Sequence, residues 1–338
     1  MHKSELIALI KFFSAKKVVN FIKLYISFII SRIFKKSFIS GLPFALSIEP
    51  TTSCNLGCPE CPSGLKQFTR KTGNLSISLN KKIIDELKGK LTYINYYFQG
   101  EPYINKNFFE FINYANSKKI FCSTSTNGHF LNDENCIKTI ESGLKRLIIS
   151  IDGNSQETYE VYRKKGNYKR VIDGTKNILK WKKELNSHYP HVIFQFLVVK
   201  TNEHLIEEMK TLTANLGVDE LRLKTAQFYN YENGNELIPD NEEYSRYTKT
   251  KSGKYILKNK FSNHCWRMWS SAVVTSKGRI VPCCFDKDAV NTLGNLEKEN
   301  FKKVWQSKKY NGFRKQIFSD RKEIEICQNC SEGSKVWA

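Results

Sequence analysis

The stretch "CNLGCPEC", Cys54 to Cys61, places three thiols in eight residues with the spacing CxxxCxxC. It follows "FALSIE" (44–49), where Phe44, Leu46 and Ile48 alternate on one face as in a strand. A structural zinc site is closed by four ligands, usually two separated pairs. Three thiolates suit a cubane [4Fe-4S] cluster instead. Each sulfur holds one iron, and the fourth iron is left open for a small molecule, as catalytic metal sites require.

Downstream, the hydrophobic pattern switches repeatedly between the periods of strand and helix. Ile83, Ile84 and Leu87 mark a helix, and "INYYF" (94–98) a strand. Phe108, Phe111, Ile112 and Ala115 mark a second helix, before the strand "IFCSTS" (120–125). Ile137, Ile140 and Leu144 then precede "RLIISI" (146–151), and Val171, Ile172, Ile178 and Leu179 precede "VIFQFLVV" (192–199). Leu205, Met209, Leu212 and Leu216 lead into "ELRLK" (220–224). Six strands alternating with five helices predict a parallel α/β sheet, its apolar strands buried on both faces. In such sheets the chemistry gathers at the C-terminal strand ends. There the sequence has Gly100-Glu101-Pro102, Ser125-Thr126-Asn127-Gly128, Ser150-Ile151-Asp152-Gly153 and Lys200-Thr201-Asn202. SIDG and Asn127-Gly128 are equally ordinary turn sequences.

From Phe44 to Lys224 the chain resembles the radical S-adenosylmethionine (radical SAM) superfamily. The resemblance implies a partial (β/α)6 TIM-like barrel, with Cys54, Cys58 and Cys61 ligating a [4Fe-4S] cluster whose open iron is chelated by SAM. "QGEP" resembles the family's GGEP motif, whose backbone and acid meet the methionine ammonium; this makes Gly100, Glu101 and Pro102 candidate SAM-binding residues, with Glu101 the candidate for the ammonium. Ser150 and Asp152 resemble positions near the ribose, and Arg163 is a candidate for the SAM carboxylate. The family often has an aromatic residue before the third cysteine, whereas this chain has Glu60.

A second set, Cys265, Cys283, Cys327 and Cys330, lies beyond the barrel. Cys265, Gly278 and Cys283 fit C-x(9–15)-G-x(4)-C, and Cys327 and Cys330 form CxxC. This resembles the SPASM/twitch extension of some radical SAM enzymes, with no further cysteines in the closing "SEGSKVWA". Four ligands imply one auxiliary [4Fe-4S] cluster, although the spacings alone fit a four-cysteine zinc knot. Cys284 reads as a bystander, Cys122 and Cys136 as buried core thiols, and His264 as structural. "AVVTSKGRIVPC" (272–283) predicts a hairpin turning at Lys277-Gly278.

The expected organisation is a basic amphipathic segment (1–42), a radical SAM core (43–227), a polar linker or insert (228–260) and a twitch-like domain (261–338). The 338 residues suffice for a large core, so the ten cysteines are not needed as staples. Their clustering suits metal binding in a reducing, cytoplasmic setting. The net charge is +21. Up to Gly41 the basic residues are Lys3, Lys11, Lys16, Lys17, Lys23, Arg32, Lys35 and Lys36, against Glu5 alone. The apolar run "FIKLYISFIISRIF" is broken by Lys23 and Arg32, which disfavours a span. It leaves two readings: a helix lying on an anionic membrane, or one packed on the main domain. The scattered lysines form no nucleic-acid motif.

The resemblance implies reductive cleavage of SAM to a 5'-deoxyadenosyl radical, which abstracts a hydrogen atom from substrate. The expected reaction is oxidation of a sugar- or cyclitol-like alcohol, with the auxiliary cluster taking the substrate electron. Peptide or protein side-chain maturation by the same chemistry is the alternative. A non-catalytic iron-sulfur carrier and a zinc-binding protein are readings of another class. A low-potential donor such as flavodoxin or ferredoxin is the implied redox partner.

Overall fold

The computed structural model describes residues 12–258 and 262–330. Lys3, Glu5 and Lys11, residues 259–261 and the closing "SEGSKVWA" lie outside the described residues. The chain enters through a long helix, α1 (Ala15–Phe34). Six parallel strands then follow in chain order. They are β1 (Ala45–Ile48), β2 (Tyr93–Asn95), β3 (Phe121–Thr126), β4 (Arg146–Ser150), β5 (His191–Val198) and β6 (Glu220–Thr225). Sequence neighbours are spatial neighbours throughout. This is the order of an opened barrel, since a doubly wound sheet would reverse at a switch point.

The crossovers are α2 (Ile77–Leu87), α3 (Phe108–Ser117), α4 (Asp133–Glu141), α5 (Gln156–Tyr162) with α6 (Tyr168–Glu184), and α7 (Ile206–Leu216). Ser76, Asn132 and Asn167 start α2, α4 and α6 by accepting a backbone N–H three residues on. Two expected boundaries move: β2 stops at Asn95, and Leu144 lies past the end of α4. The short helix α5 was not expected. Its capping box joins Ser155 and Thr158, and it delivers Arg163 to the strand ends.

Alternate side chains of a strand point to opposite faces, and the register aligns them across the sheet. Leu46, Ile94, Cys122, Leu147, Ile149, Val192 and Phe194 are buried against the helices. On the inner face Ser47, Asn95, Ser123, Arg146 and His191 stand side by side. Ser150, Gln195 and Arg222 form a layer nearer the C-terminal ends, followed by Leu197 and Lys224. β3, β4 and most of β5 are buried on both faces, as their apolar runs imply, whereas β1, β2 and β6 are only half-buried on the inner side. The inner face mixes these polar side chains with Ile148, Ile193 and Leu197.

The insert after Phe228 forms a small hairpin, β7 (Tyr247–Lys249) with β8 (Tyr255–Leu257). The tail contains the expected hairpin, β9 (Ser271–Val274) and β10 (Arg279–Val281), with Gly278 at φ +72°. Its destination was not expected. β9 pairs in parallel with β1, Ala45 opposite Ser271, so that with β11 (Gly294–Asn295) the sheet reaches nine strands. Two helices, α8 (Phe301–Trp305) and α9 (Lys308–Asp320), follow.

α1 closes the end of the barrel where the strands begin. Lys17 Nζ donates to the Lys119 carbonyl before β3 at 2.6 Å, and the Phe21 ring meets Phe44 before β1 edge-on at 5.3 Å. The extended segment 38–42 runs back along the helix. Asn20 exchanges hydrogen bonds with both backbone groups of Leu42, while the Ser27 and Ser31 hydroxyls accept the N–H groups of Ser40 and Phe38. Phe28 packs between Trp266 and Trp269. The packed-helix reading therefore holds for α1, but its buried stripe is largely polar.

Candidate active site

The cysteine loop leaves β1 at the opposite, C-terminal mouth. It is interlocked with the Gly100 turn after β2. Gly100 has φ +74°, and a Cβ there would lie 2.3 Å from the Thr51 carbonyl oxygen, so any side chain would force the two loops apart. Gly100 N–H donates to Ser63 Oγ at 2.9 Å, and Glu101 N–H to the Ser53 carbonyl at 2.8 Å. Gly64 packs against Cys58 so closely that a Cβ would come within 2.7 Å of the Cys58 nitrogen.

The structure brings Cys54, Cys58 and Cys61 within electrostatic reach of one another. A different part of the barrel faces each sulfur. Asn127, after β3, approaches Cys54 through Nδ2 at 3.9 Å, and the Leu56 N–H points to the same sulfur at 3.5 Å. Arg163, after α5, reaches Cys58 through Nη1 at 3.9 Å. Gln99, beside the Gly100 turn, lies 3.9 Å from Cys61. Burial pushes the Cys54 thiol up to about 12 and raises Cys58, with Arg163 opposing the rise at Cys58. Thiols so placed become anionic when bound iron stabilises the thiolate. Three thiols with amide and guanidinium donors turned toward sulfur fit a [4Fe-4S] cluster. Among the described residues, no three His, Cys, Asp or Glu side chains converge on the position of a single metal ion.

Glu101 is 2 % exposed, and its carboxylate accepts from Tyr103 N–H, Thr126 Oγ1 and Asn127 N–H. It thereby ties the β2 turn to the end of β3. Pro102 opens the buried turn that follows. Asp152 is fully buried: one oxygen pairs with Arg163 Nε at 2.5 Å and the other accepts Leu197 N–H at 2.8 Å. Asp152 thus fixes Arg163, which in turn faces Cys58. Ser150 lies at the lumen wall, its hydroxyl 3.5 Å from that of Ser125. Glu60 accepts from Tyr229 N–H and Asn235 Nδ2, so it holds the insert over the loop.

Cys265, Cys327 and Cys330 also gather within electrostatic reach of one another, and Cys283 within reach of Cys265 and Cys327. Burial raises Cys265 and Cys283 and pushes Cys327 up to about 11. Arg321 Nη2 donates to Cys330 Sγ at 3.1 Å. Cys283 and Cys284 lie in a bend beyond β10 rather than in a strand. Cys283 reaches Cys265 and Cys327, while Cys284, besides acting on its neighbour Cys283, acts electrostatically on Lys224, Tyr97 and Arg246. Cys122 and Cys136 are core thiols, and His264 packs near Phe28.

Sequence reasoning missed the seam between the two cysteine regions. Glu49, at the end of β1, pairs bidentately with Arg70 at 2.5 and 2.9 Å. Glu49 also accepts Ser276 N–H, and Arg70 Nε donates to the Lys287 carbonyl. Asp288 accepts the N–H groups of Thr69 and Arg70. Glu49 closes the strand motif that was read, but its partner lies 21 residues away in an unremarkable loop.

The family model for the radical SAM superfamily matches residues 48–212, and that for the SPASM iron-sulfur cluster-binding domain matches 265–331. A tungsten-containing aldehyde ferredoxin oxidoreductase cofactor-modifying protein from Pyrococcus furiosus is 25% identical over 315 residues, 85% of this chain and 86% of that protein. Among solved structures, BtrN in complex with AdoMet and 2-DOIA aligns with a TM-score of 0.53 at 18% identity, covering 89% of this chain and 97% of BtrN. Streptococcus suis SuiB bound to S-adenosylmethionine aligns with a TM-score of 0.62 at 15% identity, covering 88% of this chain and 74% of SuiB. SuiB has also been solved with its precursor peptide SuiA. A [4Fe-4S] cluster and SAM belong to the first domain and further iron-sulfur chemistry to the second. The strand order, the thiol loop at the barrel mouth and both family matches agree: this chain is a radical SAM enzyme with a C-terminal SPASM domain.

Proposed function

We propose that the enzyme oxidises an alcohol carbon of a small sugar- or cyclitol-like substrate held in the lumen. Cys54, Cys58 and Cys61 hold the SAM-binding cluster. Cys265, Cys283, Cys327 and Cys330 hold one auxiliary [4Fe-4S] cluster. The observation that carries the substrate class is the set of polar side chains on the mouth-ward inner face, Ser125, Ser150, Gln195, Lys224 and the Arg222–Glu220 pair, which outnumber the apolar Leu197 there. Hydroxyl, amide and cationic groups suit a hydroxylated ligand better than an apolar one. Desolvation and the nearby Arg246, Lys287 and Arg163 lower the Lys224 ammonium from its ordinary range. That concentration of positive charge favours a substrate with an anionic group, such as a phosphate or carboxylate.

When bound, the cluster and SAM supply one-electron cleavage of the sulfonium and hydrogen-atom abstraction from an unactivated C–H bond. The chain supplies position. Gly100, Glu101 and Pro102 shape the turn that would hold the methionine end of SAM. Asp152 holds Arg163 beside Cys58, where it would meet the SAM carboxylate, and Ser150 would contact the ribose. Glu60 and the insert shield the mouth from water.

Peptide side-chain maturation is the second reading, favoured by the likeness to SuiB. The test is anaerobic reconstitution with iron and sulfide, then dithionite and SAM, assaying 5'-deoxyadenosine. Its formation is expected, and its absence from fully loaded protein would refute the enzyme. Deuterium carried into 5'-deoxyadenosine from C-deuterated sugar phosphates, but not from deuterated peptides, is the expected discrimination. The reverse pattern would establish the peptide reading.

A further inference from the structure

We propose that the outward face of α1 docks this protein on an anionic lipid bilayer, with its apolar stripe in the interface and its basic side chains among the headgroups. A surface helix ordinarily turns its apolar face to the core. α1 does the reverse over much of its circumference. Its inward face carries Lys17, Asn20, Ser27 and Ser31 beside Leu24 and Phe28, with the polar groups bonded to the Lys119 carbonyl and the 38–42 segment. Its outward face carries Val19, Ile22, Ile26, Ile30 and Ile33, a spacing that makes one continuous helical stripe. Ile26 is 52% and Ile33 67% exposed. Of the fifteen exposed large apolar side chains among the described residues, ten fall between Phe13 and Phe38. Scattered exposed apolar residues need no explanation, but a contiguous patch marks an interaction surface.

Charge selects the occupant. Between Phe12 and Pro43 the chain has Lys16, Lys17, Lys23, Arg32, Lys35 and Lys36, and neither Asp nor Glu. All of these except Lys17 are exposed. Pairing this face with a second copy would bring two acid-free basic rims together on chains of net charge +21. An anionic bilayer offers both the opposite charge and an apolar layer beneath it. No described helix is long and apolar enough to cross a membrane, so α1 lies in the interface. Because α1 sits where the strands begin, docking there leaves the cysteine-loop mouth facing away from the lipid.

The test is sedimentation of the full chain with vesicles of phosphatidylcholine alone and of phosphatidylcholine mixed with phosphatidylglycerol. The mixed vesicles should bind at least about tenfold more tightly, and binding should weaken as salt is raised. The double variant Ile26→Glu/Ile33→Glu should lose about tenfold or more in partitioning, with its thermal midpoint and its SAM cleavage in detergent-free solution unchanged. Three results would overturn the proposal. The wild-type chain could remain in the supernatant with both vesicles. Sedimentation velocity could reveal a dimer that the same double variant dissociates, assigning the face to a second copy. Binding could appear only after residues 1–11 are removed, assigning the face to the chain's own N-terminal segment.

Discussion

Cys54, Cys58 and Cys61 come from one loop of eight residues, whereas Cys265, Cys283, Cys327 and Cys330 come from three separate places. The first three owe their closeness to local geometry: a loop pinned by Gly100 and Gly64 to its neighbours. The other four meet only because β9 joins β1, β10 turns back on β9, and the chain beyond α9 returns past Arg321. One thiol cluster is a property of a loop, and the other of a whole domain's packing. The largest expected effect separates them. Cys58→Ser should abolish 5'-deoxyadenosine formation, a loss of about a thousandfold or more, since all the chemistry passes through that cluster. Cys265→Ala should lower iron by about four atoms per chain yet keep SAM cleavage within about tenfold, while stopping product formation. Iron counting and product analysis check this. Unchanged iron in Cys265→Ala would remove the auxiliary cluster.

The two regions are nonetheless clamped together, and the clamp can be broken without touching a cysteine. The Glu49 and Arg70 side chains are 0% and 2% exposed, so removing one charge strands the other out of water. Glu49→Gln should cost about 3–5 kcal/mol in denaturant unfolding of the iron-free protein. Removing an exposed pair such as Lys169–Asp173 should cost under about 0.5 kcal/mol. Equal effects would mean that the seam is wetter than its geometry indicates.

The same contrast explains what could be read from the sequence. CxxxCxxC after a strand, GEP after the next and the period switches are local signals, and the barrel and the gathering of the first three thiols follow from them. The parallel pairing of β9 with β1 has no local signal, because any apolar hairpin can extend either edge of a sheet. Arg70 and Asp288 lie in loops where charge is ordinary, and only the folded chain shows them meeting Glu49 and the Thr69 backbone. Asp152 was legible as a strand-end acid, but its commitment to Arg163 depends on α5, whose seven residues are too few for a clear period. In α1, composition showed a basic amphipathic helix. Which face turns inward was decided by the backbone of residues 38–42, which needs the polar side.

The smallest effect separates the residues supporting each set. Beneath the first, burial raises the Glu101 carboxyl to about 7 despite its three donors, whereas Arg321 beside the second stays charged throughout the accessible range. A carboxyl whose pKa is higher folded than unfolded favours folding when protonated. Its contribution is fully present below about pH 4.5 and is lost as pH rises through about 7. The stability difference between wild type and Glu101→Gln, both iron-free, isolates this group from other titrations. The wild-type advantage should shrink by about 2 kcal/mol between about pH 5 and pH 8. The matching difference for Arg321→Met should stay flat. A flat Glu101 difference would show that Tyr103 N–H, Thr126 Oγ1 and Asn127 N–H outweigh its burial and keep it ionised, leaving both supports permanently charged.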